Sequence, residues 1–269
     1  MQVRGRFLQL ENIDTSALRT TMTTPFYAYC HNVQDDNTWR LGLVFANRST
    51  ADEWWRAISE ATSSIPITKS ITRVTPQYYT HDIRVWNMYN FFVDGNIKSI
   101  SDKFRGRLFI TLEYDRSGRG VSVFPPLHIV DHVSGNWYYI RSKTAPHLFW
   151  FYDETRNAIY ASKEKRTRFK VSIRNPSPQT PKDAIMINSD DVVIHIKESL
   201  YVGVDSYLGH IIPTRAYRTF KFGELEGGAI AGIEVAENAE ERCSSTFDGA
   251  SLYFVGPDSS SPGEPWELV

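Results

Sequence analysis

The sequence predicts a mainly β protein: a mixed α/β N-terminal region over residues 1–126, followed by a three-fold β domain over residues 127–269. Three observations predict it. Short apolar and aromatic runs separated by turn residues recur from Trp137 to the C-terminus. They fall into three sets whose last runs share one motif. The clear helical signature lies upstream, between Thr50 and Ala61.

In the N-terminal region, Arg4–Leu10 and Pro25–Cys30 alternate as strands do, and Trp39–Phe45 is a denser apolar strand candidate. Thr50 followed by Glu53 reads as a capping box, in which a hydroxyl and a carboxylate satisfy free amides of the first helical turn. Trp54, Trp55, Ile58 and Ala61 then recur at helical spacing, and Ser63-Ser64-Ile65-Pro66 stops the helix. The stretch Trp39–Thr62, a strand feeding a helix with a large tryptophan, resembles the closing elements of a pleckstrin-homology-like fold, without a basic phosphoinositide loop. Val85–Val93 reads as strand or buried helix. Lys103–Tyr114 fits either period, with Gly106 arguing against a helix interior. Asp115–Gly120 reads as a turn, and Pro125-Pro126 marks the boundary.

The first set of β-type runs comprises Trp137–Lys143, His147–Asp153, Ala158–Ser162 and Thr167–Ile173. The second comprises Val192–Lys197, Ser199–Ser206, Gly209–Thr214 and Arg218–Leu225. The third is looser: Ala229–Ala236, Ser244–Phe247, Ser251–Val255 and Pro265–Val269. Each set ends on a ring with an apolar residue two positions later: Phe169/Val171, Phe220/Phe222 and Trp266/Leu268. On a strand these pairs share a face, so three inward rings are expected to plug one barrel.

From Trp137 to Val269 the chain resembles the ricin-B-like β-trefoil lectins, especially the small cytoplasmic lectins and trefoil protease inhibitors of mushrooms. Ricin-type repeats end in Gln-x-Trp. Here the ring positions read Arg168-Phe169, Thr219-Phe220 and Pro265-Trp266, so the glutamine is missing and only the third keeps tryptophan. The resemblance implies a C-terminal β-trefoil that recognises glycans through its loops, with protease inhibition or another protein-binding defence role as the alternative.

Sugar recognition needs an aromatic face for the C–H side of the ring and polar groups for adjacent hydroxyls. Trp150, Tyr152, Asp153, Arg156 and Asn157 offer both in the first set, and Asp205, Tyr207 and His210 in the second. In the third, Asn238 and Asp248 have only Phe247 nearby. As plain structure, Asp-Glu-Thr-Arg-Asn is also a good hairpin turn. His128 and His132 share a face in either secondary structure, with Asp131 to orient one imidazole; they are the candidates for an enzyme site between the halves. No third metal ligand follows from spacing, so no metal and no cofactor is expected. Nor is any catalytic residue, since nucleophile-elbow, phosphate-loop and Cys-x-x-Cys motifs are absent from the sequence. Cys30 and His31 are adjacent on a strand and face opposite sides.

Thirty basic and thirty-one acidic residues give a formal charge of −1, without the basic excess of a nucleic-acid binder. Lys163–Arg174 carries six basic residues in twelve and reads as a solvated outer strand face. Two cysteines 213 positions apart, arginines near the start and no long apolar run point to a cytoplasmic, soluble protein that does not insert into membranes. The expected partners are glycans or glycoproteins, not nucleic acid. The aromatic-rich N-terminal half is a candidate homo-oligomerisation module that would give weak sites avidity.

Overall fold

The computed structural model describes residues 24–34, 39–61, 66–113, 129–233, 249–256 and 263–269, and it is mainly β. The readings of Arg4–Leu10, Asp115–Gly120, Pro125-Pro126, His128, Asn238, Ser244–Phe247, Asp248 and the helix stop at Ser63–Ile65 lie outside those residues.

Five N-terminal strands form one mixed sheet: β1 (Phe26–Asn32), β2 (Leu41–Phe45), β3 (Ile71–Thr75), β4 (Tyr78–His81) and β5 (Leu108–Leu112), in the order β3-β4-β1-β2-β5. β1 and β4 run parallel, and the other pairs are antiparallel. Phe26, Ala28 and Cys30 point into the core from alternate positions of β1, and burial pushes the Cys30 thiol pKa up. His31 turns the other way, within 3.0 Å of the Tyr78 hydroxyl. Helix α1 (Arg48–Ser59) covers the inner face. Its Trp54 is fully buried, with ring centroids 5.3 Å from Tyr79 and 5.5 Å from Phe45.

Three details correct the sequence reading. The N-cap of α1 is Asn47, whose Oδ1 accepts from the Thr50 amide at 2.8 Å; Thr50 is already inside the first turn. Glu53 does not reach back as a capping partner but takes Arg107 at 2.6 Å. Three further strands of the same sheet follow α1, so it does not close a pleckstrin-homology-like fold. Val85–Val93 is neither strand nor long helix. Asn87 caps a single 3-10 turn over Met88–Asn90 that drops Met88 into the core. Two four-residue helices, α2 (Ile67–Ser70) and α3 (Lys98–Ser101), and a 3-10 turn over Asp102–Phe104 fill the connections. Gly106, at φ +74°, turns the chain into β5.

The C-terminal strands are β6 (Asn136–Ser142), β7 (Phe149–Asp153), β8 (Ala158–Ser162), β9 (Arg168–Ile173), β10 (Asp191–Lys197), β11 (Leu200–Val204), β12 (Ile211–Thr214), β13 (Phe220–Lys221), β14 (Ala231–Ile233), β15 (Gly249–Phe254) and β16 (Trp266–Leu268). They form one sheet in the order β12-β11-β10-β9-β6-β7-β8-β15-β14, with β13 on β10 and β16 on β6. The sheet nearly closes on itself. A His210–Tyr253 bridge and a Phe254 amide donating to the Gly209 carbonyl at 2.7 Å join its β12 and β15 ends. The Trp266 indole N–H and the Glu264 amide both donate to the Ala231 carbonyl, tying β16 to β14.

Phe169, Phe220 and Trp266 all lie in the single buried cluster inside this sheet. The second motif departs from expectation. β13 is only two residues long, and Phe222 begins helix α4 (Phe222–Gly227). Phe220 and Phe222 both go inward as expected, but Phe222 does so from the helix, together with Leu225 three residues on. Gly223 lets the helix lie against Asn188, because a Cβ there would sit 2.8 Å from the Asn188 Cβ. Gly228 ends it at φ +80°. Among the described residues, no helix is long and apolar enough to cross a membrane.

Candidate functional site

The eight residues singled out in the sequence lie in two hairpins, and one of them leaves the set. Trp150 is fully buried, its ring 5.8 Å from Phe169 and 5.7 Å from Trp266. It fills the core and cannot meet a ligand. The β7–β8 turn brings Tyr152, Asp153, Arg156 and Asn157 together but spends most of their polar capacity. Asp153 accepts from the Thr155 amide at 2.9 Å and from Arg156 Nη1 at 2.8 Å, and the Arg156 bond holds its carboxyl below the usual range. Asn157, at φ +48°, accepts from the Tyr152 hydroxyl at 3.1 Å. In the β11–β12 turn, Asp205 accepts from the Leu208 and Tyr207 amides, which also lower its pKa. Tyr207 is 93% exposed at the tip, while His210 sits where the sheet closes.

A groove of about 280 Å³ opens instead on the outer face of this nearly closed sheet. Ser172, Arg174 and Asn175 line it from β9 and its end, His195 from β10, Tyr201 from β11, and Tyr217 from the β12–β13 connection. Strand register builds it. Ser172 faces Val193 across β9–β10, and His195 faces Tyr201 across β10–β11. The His195 and Tyr201 rings are 4.8 Å apart, and the Tyr217 ring stands edge-on to Tyr201 at 6.0 Å. Arg174 lies 4.7 Å from the Tyr217 ring centroid and donates to the Tyr217 hydroxyl at 2.9 Å and to Thr219 Oγ1 at 3.0 Å. Tyr217 remains half exposed. Burial, and then the Lys170 charge, lower the His195 pKa, so near neutral pH its imidazole has one donor and one acceptor nitrogen. Two tyrosine faces, a guanidinium, a carboxamide and a neutral imidazole thus converge on one concavity. The sequence reading passed over it by favouring turn residues; the polar ring within Val-Val-Ile-His-Ile was the available signal.

Where the junction between the halves is described, its charged groups contact one another. His132 is buried between Tyr138 and Phe222, its Nδ1 3.8 Å from Glu226. Asp131, expected to orient an imidazole, instead binds Arg73 at 2.6 Å. Among the described residues no group of three or more His, Cys, Asp or Glu is disposed to hold a metal. Burial, with the Arg48 charge next, pushes the His132 pKa below the ordinary value near 6.5. The unfolded chain therefore binds a proton at this residue more readily than the folded chain does. This contribution to stability is complete above pH ~6.5 and shrinks as pH falls toward the lowered folded value. Unfolding midpoints measured between pH 7.5 and 5.5 should fall less steeply in His132→Gln than in the unaltered protein. Equal slopes would rule out this role.

No protein-family model matches the chain, and a search of curated proteins finds no relative.

Proposed function

We propose that the chain is a non-enzymatic carbohydrate-binding protein whose C-terminal strands form a β-trefoil, and that the groove on that barrel is its glycan site. Support for the trefoil comes from the pairing pattern. β6 pairs with β9, β9 with β10, β10 with β13 and β16 with β6, while β7–β8 and β11–β12 are hairpins that extend from β6 and β10. One ring from the end of each strand set shares the same core. The observation that carries the glycan reading is the chemistry of the groove: Tyr201 and Tyr217 beside Arg174, Asn175 and His195. A sugar offers an apolar C–H face and adjacent hydroxyls. Tyrosine rings meet the first, and planar or paired donors and acceptors meet the second.

A glycan-array screen tests this reading. Binding competed by free sugar is expected, with a loss of at least about tenfold in Tyr217→Ala, equivalent to ~1.4 kcal/mol. A second reading, protease inhibition, is favoured by a different observation: Tyr207 and Leu208 stand 93% and 64% exposed at a hairpin tip, as large side chains offered to a protein cleft would. A blank array with inhibition that Tyr207→Ala abolishes would replace the first reading by the second.

A further inference from the structure

The chain is close to neutral, yet four cations without a carboxylate partner among the described residues cluster at the start of β9. Three basic side chains near the cluster have carboxylate partners: Arg141 binds Glu267 at 2.6 Å, Lys143 lies 3.5 Å from Glu226, and Lys197 binds Glu154 at 2.5 Å. Between them, Lys165, Arg166, Arg168 and Lys170 make no ion pair with any carboxylate among the described residues. β9 sends Phe169 and Val171 into the core and turns Arg168 and Lys170 outward. Side chains two apart on a strand are about 7 Å apart, inside the ~8–10 Å screening length of ordinary salt, so these charges repel. A bound polyanion would relieve that repulsion.

The cations also adjoin the groove. Tyr201, His195, Lys170 and Trp137 are successive register partners across β11, β10, β9 and β6. With strands ~4.8 Å apart, the row is about 14 Å long. It runs from the groove to the half-exposed Trp137 indole. Arg168 faces Tyr139 in the neighbouring row.

We infer that the glycan is an acidic polysaccharide, sulfated or carboxylated, that enters the groove at Tyr201 and crosses the outer face of β10, β9 and β6 over Lys170 and Arg168. This rests on the carbohydrate-binding reading of the same groove. The rings beside these cations favour it over single-stranded nucleic acid. Nucleic-acid platforms need aromatic faces on which bases stack. Here Arg166 lies 4.5 Å from the Tyr139 centroid and 5.5 Å from Phe149, Arg168 lies 5.1 Å from Tyr139, and Lys165 lies 5.4 Å from Phe151. The protein's own cations occupy those rings and present charge outward.

Titration of the full chain with heparin, chemically desulfated heparin and an oligothymidylate of similar length tests the inference, run beside the glycan array. Heparin should bind at least about tenfold more tightly than its desulfated form and should weaken as salt is raised. Arg168→Glu with Lys170→Glu should remove at least about tenfold of that affinity. Lys165→Glu with Arg166→Glu, in the turn before β9, should lose affinity as well if the strand variant fails to fold. Glycan binding with no preference for sulfated polysaccharide would overturn this inference and leave the carbohydrate reading standing. No binding to any polysaccharide or array glycan would overturn both. Oligothymidylate bound more tightly than heparin would overturn it by making nucleic acid the occupant.

Discussion

Truncating Trp150 to alanine is expected to destabilise the C-terminal sheet by about 3–5 kcal/mol, the usual cost of emptying a buried indole site. Trp150 is fully buried and packs edge-on against both Phe169 and Trp266, so it joins two of the three rings expected to plug the barrel. Its indole nitrogen has no hydrogen-bond partner among the described residues, so the loss is of packing rather than polar contact. Trp150→Phe should therefore retain much of the stability. Trp137→Ala, at a half-exposed indole on the outer face, should change it by less than about 1 kcal/mol. Denaturant unfolding of the three variants, followed by near-ultraviolet circular dichroism, checks the ranking. Equal effects of Trp150→Ala and Trp137→Ala would mean the rings do not share one packed interior.

The fold was legible where local punctuation and periodicity agreed. Ala158–Ser162 has the same limits in sequence and structure because the Asp-Glu-Thr-Arg-Asn turn stops the chain before it and Ser162 turns the chain after it, its hydroxyl accepting from the Lys165 amide. Helix α4 was misread because Phe220 and Phe222 have strand spacing, while the deciding pair is Phe222 and Leu225 at helical spacing. Trp150 was read as a ligand residue although the rule that sent Phe169 inward applies to it too. It shares a face with Tyr152, which also packs on the core. The groove was out of reach for another reason. Arg174 and Tyr217 are 43 positions apart, and only the β9–β10–β11 register and the β12–β13 connection bring them together. Turn residues announce themselves in a sequence; a surface assembled across strands does not.

The second large effect is expected at Asp52. Arg73, with a side chain only 3% exposed, donates from Nη2 to Asp52 at 2.7 Å and to Asp131 at 2.6 Å. Asp52 also receives Arg48 at 2.9 Å, and Arg48 reaches the Val130 carbonyl at 3.0 Å. Nearby, Arg56 joins α1 to Asp190 and to the Ile185 carbonyl. These contacts run from the N-terminal sheet and α1 to the segment that leads into the barrel. Asp52→Ala leaves Arg73 buried with one carboxylate instead of two and should cost ~3 kcal/mol. Most of that cost is the desolvated charge left behind, so Asp52→Ala with Arg73→Met should recover the greater part of it. The exposed pair Lys98–Asp102 provides the contrast: Asp102→Ala should cost under about 1 kcal/mol. If Asp52→Ala proves as mild as Asp102→Ala in chemical denaturation, the network does not hold the two halves together. If it is severe and the double variant restores stability, the cost of Asp52→Ala lies in the buried Arg73 charge left short of a partner, not in a lost link from Arg73 to Asp131.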